Sequence, residues 1–235
     1  MAQRQLLDLS QKMAEVGMMI ETTSVQALSD EIAQHLHHAI VAYGEASLAV
    51  SGGSTPIGLF KALSMHDIDW KKVNVLLCDE RCVSSLSHDS NAWLVREHLL
   101  QNRASMAQFL PLYDDVSIET SLQNAPKDKK IDVLILGMGM DGHTASLFPN
   151  NEKLAEAYDL HNKASYIHIT PASAPYERIS MNLKTILGAN HIYVHSEGEQ
   201  KREVLTKALA SGDRYTYPIL SVLNHPNTTV KVYST

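Results

Sequence analysis

The spacing of apolar residues along the chain alternates between the period of a helix and that of a buried strand. Between residues 24 and 43, apolar side chains recur at close to 3.6-residue spacing, which predicts an amphipathic helix. The short apolar run 47–50 that follows is typical of a strand buried on both faces. The same patterns predict further strands at 74–78, 109–113, 131–136, 165–170, 191–196 and 229–233. They predict further helices from Pro56 onward, at 91–100, around 176–187 and at 198–209.

Strands that alternate with helices favour an α/β fold, because a helix can connect two parallel strands by a right-handed crossover. We therefore expect a Rossmann-like, doubly wound and mostly parallel sheet with helices on both faces. The 235 residues fit one α/β domain or at most two small ones, and we expect a single domain spanning 1–235, with the polar stretch 125–130 as a turn rather than a linker.

Ligands of such sheets bind beyond the carboxyl ends of the strands. Polar, glycine-rich segments that follow predicted strands are therefore the first candidates for a functional site. Four segments meet this condition, at 51–56, 79–91, 137–149 and 171–178.

The segment SGGSTP at 51–56 combines two glycines with hydroxyl side chains. Glycines allow a ligand to approach the backbone, Thr55 suits a helix N-cap and Pro56 suits the first helical position. Free N–H groups at such a helix start attract phosphate, although a tight turn without a ligand is the alternative. Pro56 stands where a nucleophile elbow requires glycine, which argues against Ser54 as a nucleophile. The expected anion contacts are Ser51, Gly52, Gly53, Ser54 and Thr55.

The segment GMGMDGHTASLFP at 137–149 contains a G-x-G-x-x-G pattern directly after the most apolar predicted strand. A dinucleotide site would also need a full helix and a second strand ending in an acid, but Pro149 interrupts the helical stretch. His143 in this loop is instead a candidate general base near neutral pH. Asp141 could fix its tautomer and raise its basicity. The alternative is a histidine that only stabilises a turn.

The segment DER at 79–81 follows the predicted strand 74–78. Asp79 and Glu80 could orient sugar hydroxyls, and Arg81 could hold a phosphate or an oxyanion. A surface salt-bridge cluster is the alternative. The later pair Ser90–Asn91 could cap the next helix or add sugar contacts.

The net charge of −6, without a lysine- or arginine-rich run, argues against nucleic acid as a partner. A few local cations still suffice for one phosphate. Arg178 and Lys201 are candidates, because each lies near the start of a predicted helix, where a cation opposes the helix dipole. Most surface Arg and Lys residues are simply solvated, which is the alternative here.

Several other classes of protein are not favoured. Cys78 and Cys82 have no second pair to complete a zinc site and do not form a disulfide framework, so we expect two reduced thiols and no metal. The amphipathic segment 1–16 has no secretory apolar core, and no apolar run approaches the length of a membrane helix. We therefore expect a cytoplasmic protein without a membrane partner.

The order of SGGSTP, DER with a downstream S-N, and G-x-G-x-D-G-H-T-A-S-L-F-P resembles the 6-phosphogluconolactonase family over nearly the whole chain, from about residue 24. Glucosamine-6-phosphate deaminases of the same superfamily share the DGH core but typically carry D-E-Y and G-H-I-A-F-N-E-P. Here Arg81 replaces that tyrosine, and Thr144, Ser146 and Leu147 follow the lactonase pattern. The chain departs from the family at Cys82-Val83-Ser84, where a proline is frequent, and at Asn150, where glycine is common.

The resemblance implies a fold of the sugar-phosphate isomerase type and hydrolysis of 6-phospho-D-glucono-1,5-lactone in the oxidative pentose phosphate pathway, without a cofactor. In this scheme His143 activates water, Asp141 orients its ring, and loop 51–56 holds the phosphate with Arg178 and Lys201. Arg81 serves the phosphate or the carboxylate product. We expect a monomer or small homo-oligomer. The rival interpretations are a deaminase or isomerase of the same superfamily, a nicotinamide dehydrogenase and a non-catalytic sugar-phosphate sensor.

Overall fold

The computed structural model describes residues 24–127 and 129–225 in full and the backbone of strands 19–21 and 230–234. The segment 1–16 considered above lies outside these ranges. The strands are β1 (Met19–Glu21), β2 (Ala46–Val50), β3 (Val73–Leu77), β4 (Asp79–Arg81), β5 (Gln108–Leu110), β6 (Val133–Leu136), β7 (Tyr166–Ile169), β8 (Arg178–Met181), β9 (His191–Ser196) and β10 (Val230–Ser234). The α-helices are α1 (Val25–Tyr43), α2 (Ile57–Leu63), α3 (Asn91–His98), α4 (Ile118–Asn124), α5 (Leu154–Ala157), α6 (Leu183–Leu187), α7 (Glu199–Ser211) and α8 (Leu220–Leu223).

Seven of these strands form one parallel sheet in the order β1-β10-β9-β6-β2-β3-β5. Strands β2, β3 and β6 are buried along their whole length, which explains their mostly apolar sequences. Helix α1 begins at the N-cap Ser24, whose hydroxyl accepts the Ala27 N–H at 3.1 Å, and packs against β2 and α2. The expected α/β class with a mostly parallel sheet is confirmed.

A second sheet, antiparallel and in the order β4-β8-β7, corrects two sequence predictions. The helix expected around 176–187 is confined to α6, because residues 178–181 form the central strand of this small sheet. The predicted strand 165–170 exists as β7, but it pairs with β8 rather than joining the parallel sheet. The DER segment forms the edge strand β4 of this sheet.

The carboxyl ends of β2, β3 and β6 meet at one edge of the main sheet. The Ser51 N–H donates to the Ile135 carbonyl at 3.0 Å, and the Cys78 N–H donates to the Val50 carbonyl at 2.8 Å. These bonds bring the starts of segments 51–56, 79–91 and 137–149 together, as the parallel topology requires. No helix among the described residues is both long and apolar enough to cross a membrane.

Candidate active site

A cavity of about 380 Å³ opens at this carboxyl edge. Three loops and the small sheet contribute its walls, so segments far apart in sequence share one space. The predicted residues that line it are Ser51, Gly52, Gly53, Ser54, Thr55, Asp79, Arg81, His143, Arg178 and Lys201. The apolar part of the wall includes Met138, Met140, Ala145, Phe148 and Ala174.

Loop 51–55 forms one wall with its backbone. Gly53 has a φ of +97°, a conformation that few other residues adopt without strain. A Cβ at Gly52 would collide with the side-chain amide of Asn91, so glycine is required there by packing. Within the described residues, no protein acceptor occupies the backbone N–H groups of 52–55. These donors are therefore available to an anion.

Lys201 joins this wall from the first turn of α7, and its Nζ donates to the Thr55 hydroxyl at 2.8 Å. Burial lowers the pKa of Lys201, and the charge of Glu197 opposes that shift. Thr55 does not cap α2 as expected, because the helix begins at Ile57 with Pro56 as N-cap and no side-chain cap. Its hydroxyl contacts the lysine instead.

His143 lines the cavity and forms a hydrogen-bonded pair with Asp141. The His143 Nδ1 lies 2.6 Å from the Asp141 Oδ1, which also accepts the His143 backbone N–H at 3.1 Å. A carboxylate only accepts, so Nδ1 carries the proton and the neutral ring keeps Nε2 as a proton acceptor. Burial raises the pKa of Asp141, but the hydrogen bonds and charge of His143 outweigh this effect and the net pKa is lowered. Asp141 itself does not line the cavity.

Arg81 and Arg178 are direct neighbours across the antiparallel β4–β8 pair. Each donates to a backbone carbonyl: the Arg81 Nη1 to that of Asp89 at 2.5 Å and the Arg178 Nη2 to that of Pro175 at 2.9 Å. The Nε atoms of both are buried without a hydrogen-bond partner among the described residues. Burial lowers the pKa of Arg178, and the positive charge of Arg81 lowers it further. Two adjacent guanidinium groups of like charge favour an anion between or above them.

Glu80 lies outside the cavity, so we assign it no sugar contact. Its buried Oε1 accepts the N–H groups of Arg81 and Asn91, both at 2.7 Å. Its Oε2 accepts the Ala92 N–H at 2.7 Å and the Ser90 hydroxyl at 3.0 Å. Burial raises the pKa of Glu80, and these hydrogen bonds oppose the shift. The Glu80 carboxylate therefore holds the start of α3 against β4, the strand formed by the DER segment.

Asn91 and Ser146 have contacts that the sequence did not predict. For Asn91 the sequence offered a helix cap or a sugar contact, and Ser146 was only part of the family pattern. Asn91 is nearly fully buried at the cavity wall, and its Nδ2 donates to the Asp79 carbonyl at 2.8 Å. Ser146 is equally buried and its hydroxyl donates to the Asp79 carboxylate at 2.5 Å. No sequence spacing signals this contact, because its partners are 67 positions apart.

Neither cysteine forms a disulfide. Cys78 is fully buried beneath the cavity, and burial raises the pKa of its thiol; Cys82 is half-buried, with a pKa raised to about 12. Both thiols therefore stay protonated near neutral pH. The described residues contain no cluster of three or more His, Cys, Asp or Glu side chains that could hold a metal ion.

Fold and cavity together define an α/β protein with a positively charged ligand site at the carboxyl edge of a parallel sheet, lined by a histidine whose ring is hydrogen-bonded to an aspartate. The family model for glucosamine-6-phosphate isomerases/6-phosphogluconolactonase matches residues 21–231, and the chain belongs to this family.

Relatives above 40% identity include proteins named as 6-phosphogluconolactonases. A Neisseria meningitidis protein named 6-phosphogluconolactonase is 43% identical over 217 residues, covering 89% of this chain and 94% of that protein. The crystal structure of a 6-phosphogluconolactonase from Shewanella baltica has a TM-score of 0.86 at 41% identity, covering 92% of this chain and 97% of that one. A monomeric glucosamine-6-phosphate deaminase has a TM-score of 0.70 at 18% identity, which shows a shared fold alone.

Proposed function

We propose that this protein hydrolyses 6-phospho-D-glucono-1,5-lactone to 6-phosphogluconate in the cytoplasm, as a step of the oxidative pentose phosphate pathway. The Nε2 of His143 takes a proton from water while the water oxygen attacks the lactone carbonyl carbon. The bond from that carbon to the ring oxygen then breaks, and the protonated His143 gives its proton to the ring oxygen, which becomes a hydroxyl. The single product is the open-chain 6-phosphogluconate, whose new carboxylic acid loses the remaining water-derived proton to solvent and becomes a carboxylate.

The observation that carries this proposal is the orientation of the His143 ring by Asp141 inside a cationic cavity. The 2.6 Å contact at Nδ1 sets the tautomer, so the remaining nitrogen is the one that accepts a proton. A positioned general base contributes about 10²–10⁴ in rate. An ester of this kind hydrolyses slowly without any catalyst, so neither a covalent nucleophile nor a metal has to be invoked.

The cationic side chains and the backbone N–H groups of loop 51–55 bind the anionic groups of the substrate. We assign the substrate phosphate to loop 51–55 together with Lys201 and Arg178, since Lys201 is already fixed to that loop through Thr55. Arg81 serves the phosphate or the product carboxylate from its place beside Arg178. The developing oxyanion is met by backbone N–H groups or by one of these cations, a donor worth roughly 3–4 kcal/mol in such sites.

The test is lactone hydrolysis with 6-phosphogluconolactone prepared in situ and compared with the spontaneous background. We expect saturable turnover well above background, and poor turnover of unphosphorylated gluconolactone because loop 51–55 and its cations find no phosphate. Equal activity on both lactones would contradict the phosphate assignment. Release of ammonia from glucosamine 6-phosphate without lactonase activity would point to the deaminase branch instead.

A further inference from the structure

One buried hydrogen bond links the histidine loop to the DER strand. The Ser146 hydroxyl donates to the Asp79 Oδ2 at 2.5 Å, and the two residues are only 1% and 6% exposed. Ser146 lies three positions after His143, whereas Asp79 begins β4. Both line the cavity. A short bond of a hydroxyl to a carboxylate in such surroundings is strong and directional.

The same contact leaves one carboxylate oxygen of Asp79 with spare capacity. Asn91 Nδ2 faces two acceptors, the Asp79 carbonyl at 2.8 Å and the Asp79 Oδ1 at 3.4 Å, which fixes the orientation of its amide. The longer of these two bonds is weak, so Oδ1 can still accept a good hydrogen bond. A ligand hydroxyl is the kind of donor that a polyhydroxy lactone would bring.

The backbone of Ser146 is anchored to the same place. Its N–H donates to the Ser180 hydroxyl at 3.2 Å, and Ser180 is the register partner of Asp79 in the β4–β8 pair. Ala145, just before it, has a φ of +47°, so the chain turns sharply between His143 and Ser146. The side chain of Ser146 therefore connects the His143 loop to β4, and its backbone connects the loop to β8, the partner strand of β4.

We propose that Ser146 is a positioning residue for the lactonase reaction. It holds the Asp79 carboxylate so that Oδ1 accepts a ring hydroxyl of the sugar lactone while the lactone carbonyl lies at His143. This inference rests on the proposed function and adds to it a determinant of sugar recognition. Asp79 contacts the substrate, and Ser146 acts through Asp79.

The test compares Ser146→Ala, Asp79→Ala and the double variant in the lactone assay. Loss of the Ser146 hydroxyl in Ser146→Ala should lower kcat/KM about 10- to 100-fold, which corresponds to the usual free energy of a hydrogen bond to a charged group. The loss should fall mainly on KM, because a hydroxyl contact serves ground state and transition state alike. In the double variant, kcat/KM should equal that of Asp79→Ala within about twofold, because a residue that acts only through Asp79 has no further effect once Asp79 is removed.

The matched control is Ser221→Ala, which removes another buried serine hydroxyl, one that donates to the Pro218 carbonyl at 2.7 Å away from the cavity, and leaves the Ser146–Asp79 bond in place. Thermal unfolding of every variant separates altered recognition from altered stability. Ser146→Cys, close in shape but a weak donor, replaces the alanine variant if that one does not fold. Wild-type kcat/KM in Ser146→Ala, a loss confined to kcat, or multiplicative losses in the double variant would overturn the inference. Absence of wild-type turnover would instead overturn the proposed function.

Discussion

Replacing Gly139 by alanine tests the general base without touching its chemistry. A Cβ at this position would overlap the Nδ1 and Cε1 atoms of His143 and would lie 2.7 Å from the Asp141 Oδ1. The φ of Gly139 is not in the left-handed region, so alanine is compatible with the backbone and the conflict is purely with the pair. The imidazole must therefore move from the position that it holds in the cavity.

The expected magnitude follows from that displacement. A shift of about 1 Å in a catalytic group costs on the order of 10²-fold in rate, and complete loss of a general base costs about 10²–10⁴. We expect Gly139→Ala to lower kcat about 10²-fold, with KM changed little because the phosphate is bound by loop 51–55 and Lys201. Initial rates of lactone hydrolysis, corrected for the spontaneous reaction over a range of substrate concentrations, give both constants.

Gly58→Ala provides the matched control. It lies within α2, and the nearest atom to its added Cβ is the Val25 Cγ1 at 4.0 Å, an ordinary contact. This variant should keep wild-type kcat and equal or greater thermal stability, since alanine favours a helix over glycine. If Gly139→Ala also kept wild-type kcat while remaining folded, the position of the His143 ring would not limit the reaction and the assignment of the base would be wrong.

Three further predictions concern single side chains. His143→Ala should lose at least roughly 10²-fold in kcat with a modest change in KM, and near-normal turnover would remove this residue from the mechanism. Lys201→Ala should mainly raise KM, by about 10- to 100-fold, and an unchanged KM in steady-state kinetics would exclude it as a phosphate ligand. Glu80→Ala should lower the free energy of unfolding by roughly 2–4 kcal/mol, because the buried hydroxyl and N–H donors at the start of α3 lose their acceptor. The control is Glu119→Ala, which removes an exposed acid in the first turn of α4 and should change the free energy of unfolding by less than about 0.5 kcal/mol. Urea unfolding of both variants measures the difference, and an equal loss of stability in the two would refute the prediction.

The local sequence determined those helices and strands that a regular apolar pattern over one continuous stretch of chain can predict. The mostly apolar runs at 47–50 and 131–136 indicated buried strands, and the spacing from 24 to 43 indicated an amphipathic helix, and all three are confirmed. The glycine loops at 51–56 and 137–149 follow those strands, so their meeting at one edge followed from parallel topology alone. The position of His143, Lys201 and loop 51–55 around one cavity was predictable for this reason.

Only tertiary structure decided the features that depend on partners distant in sequence. Residues 178–181 become a strand because they pair with β4, about a hundred positions earlier, and with β7, and a local window that favours a helix contains neither partner. The same pairing places Arg178 beside Arg81. Burial of the Glu80 carboxylate at the start of α3 and the Ser146–Asp79 bond likewise exist only after these segments pack. Hydrogen bonds between side chains leave no periodic trace in a sequence, because any hydroxyl can donate to any carboxylate that folding brings within reach.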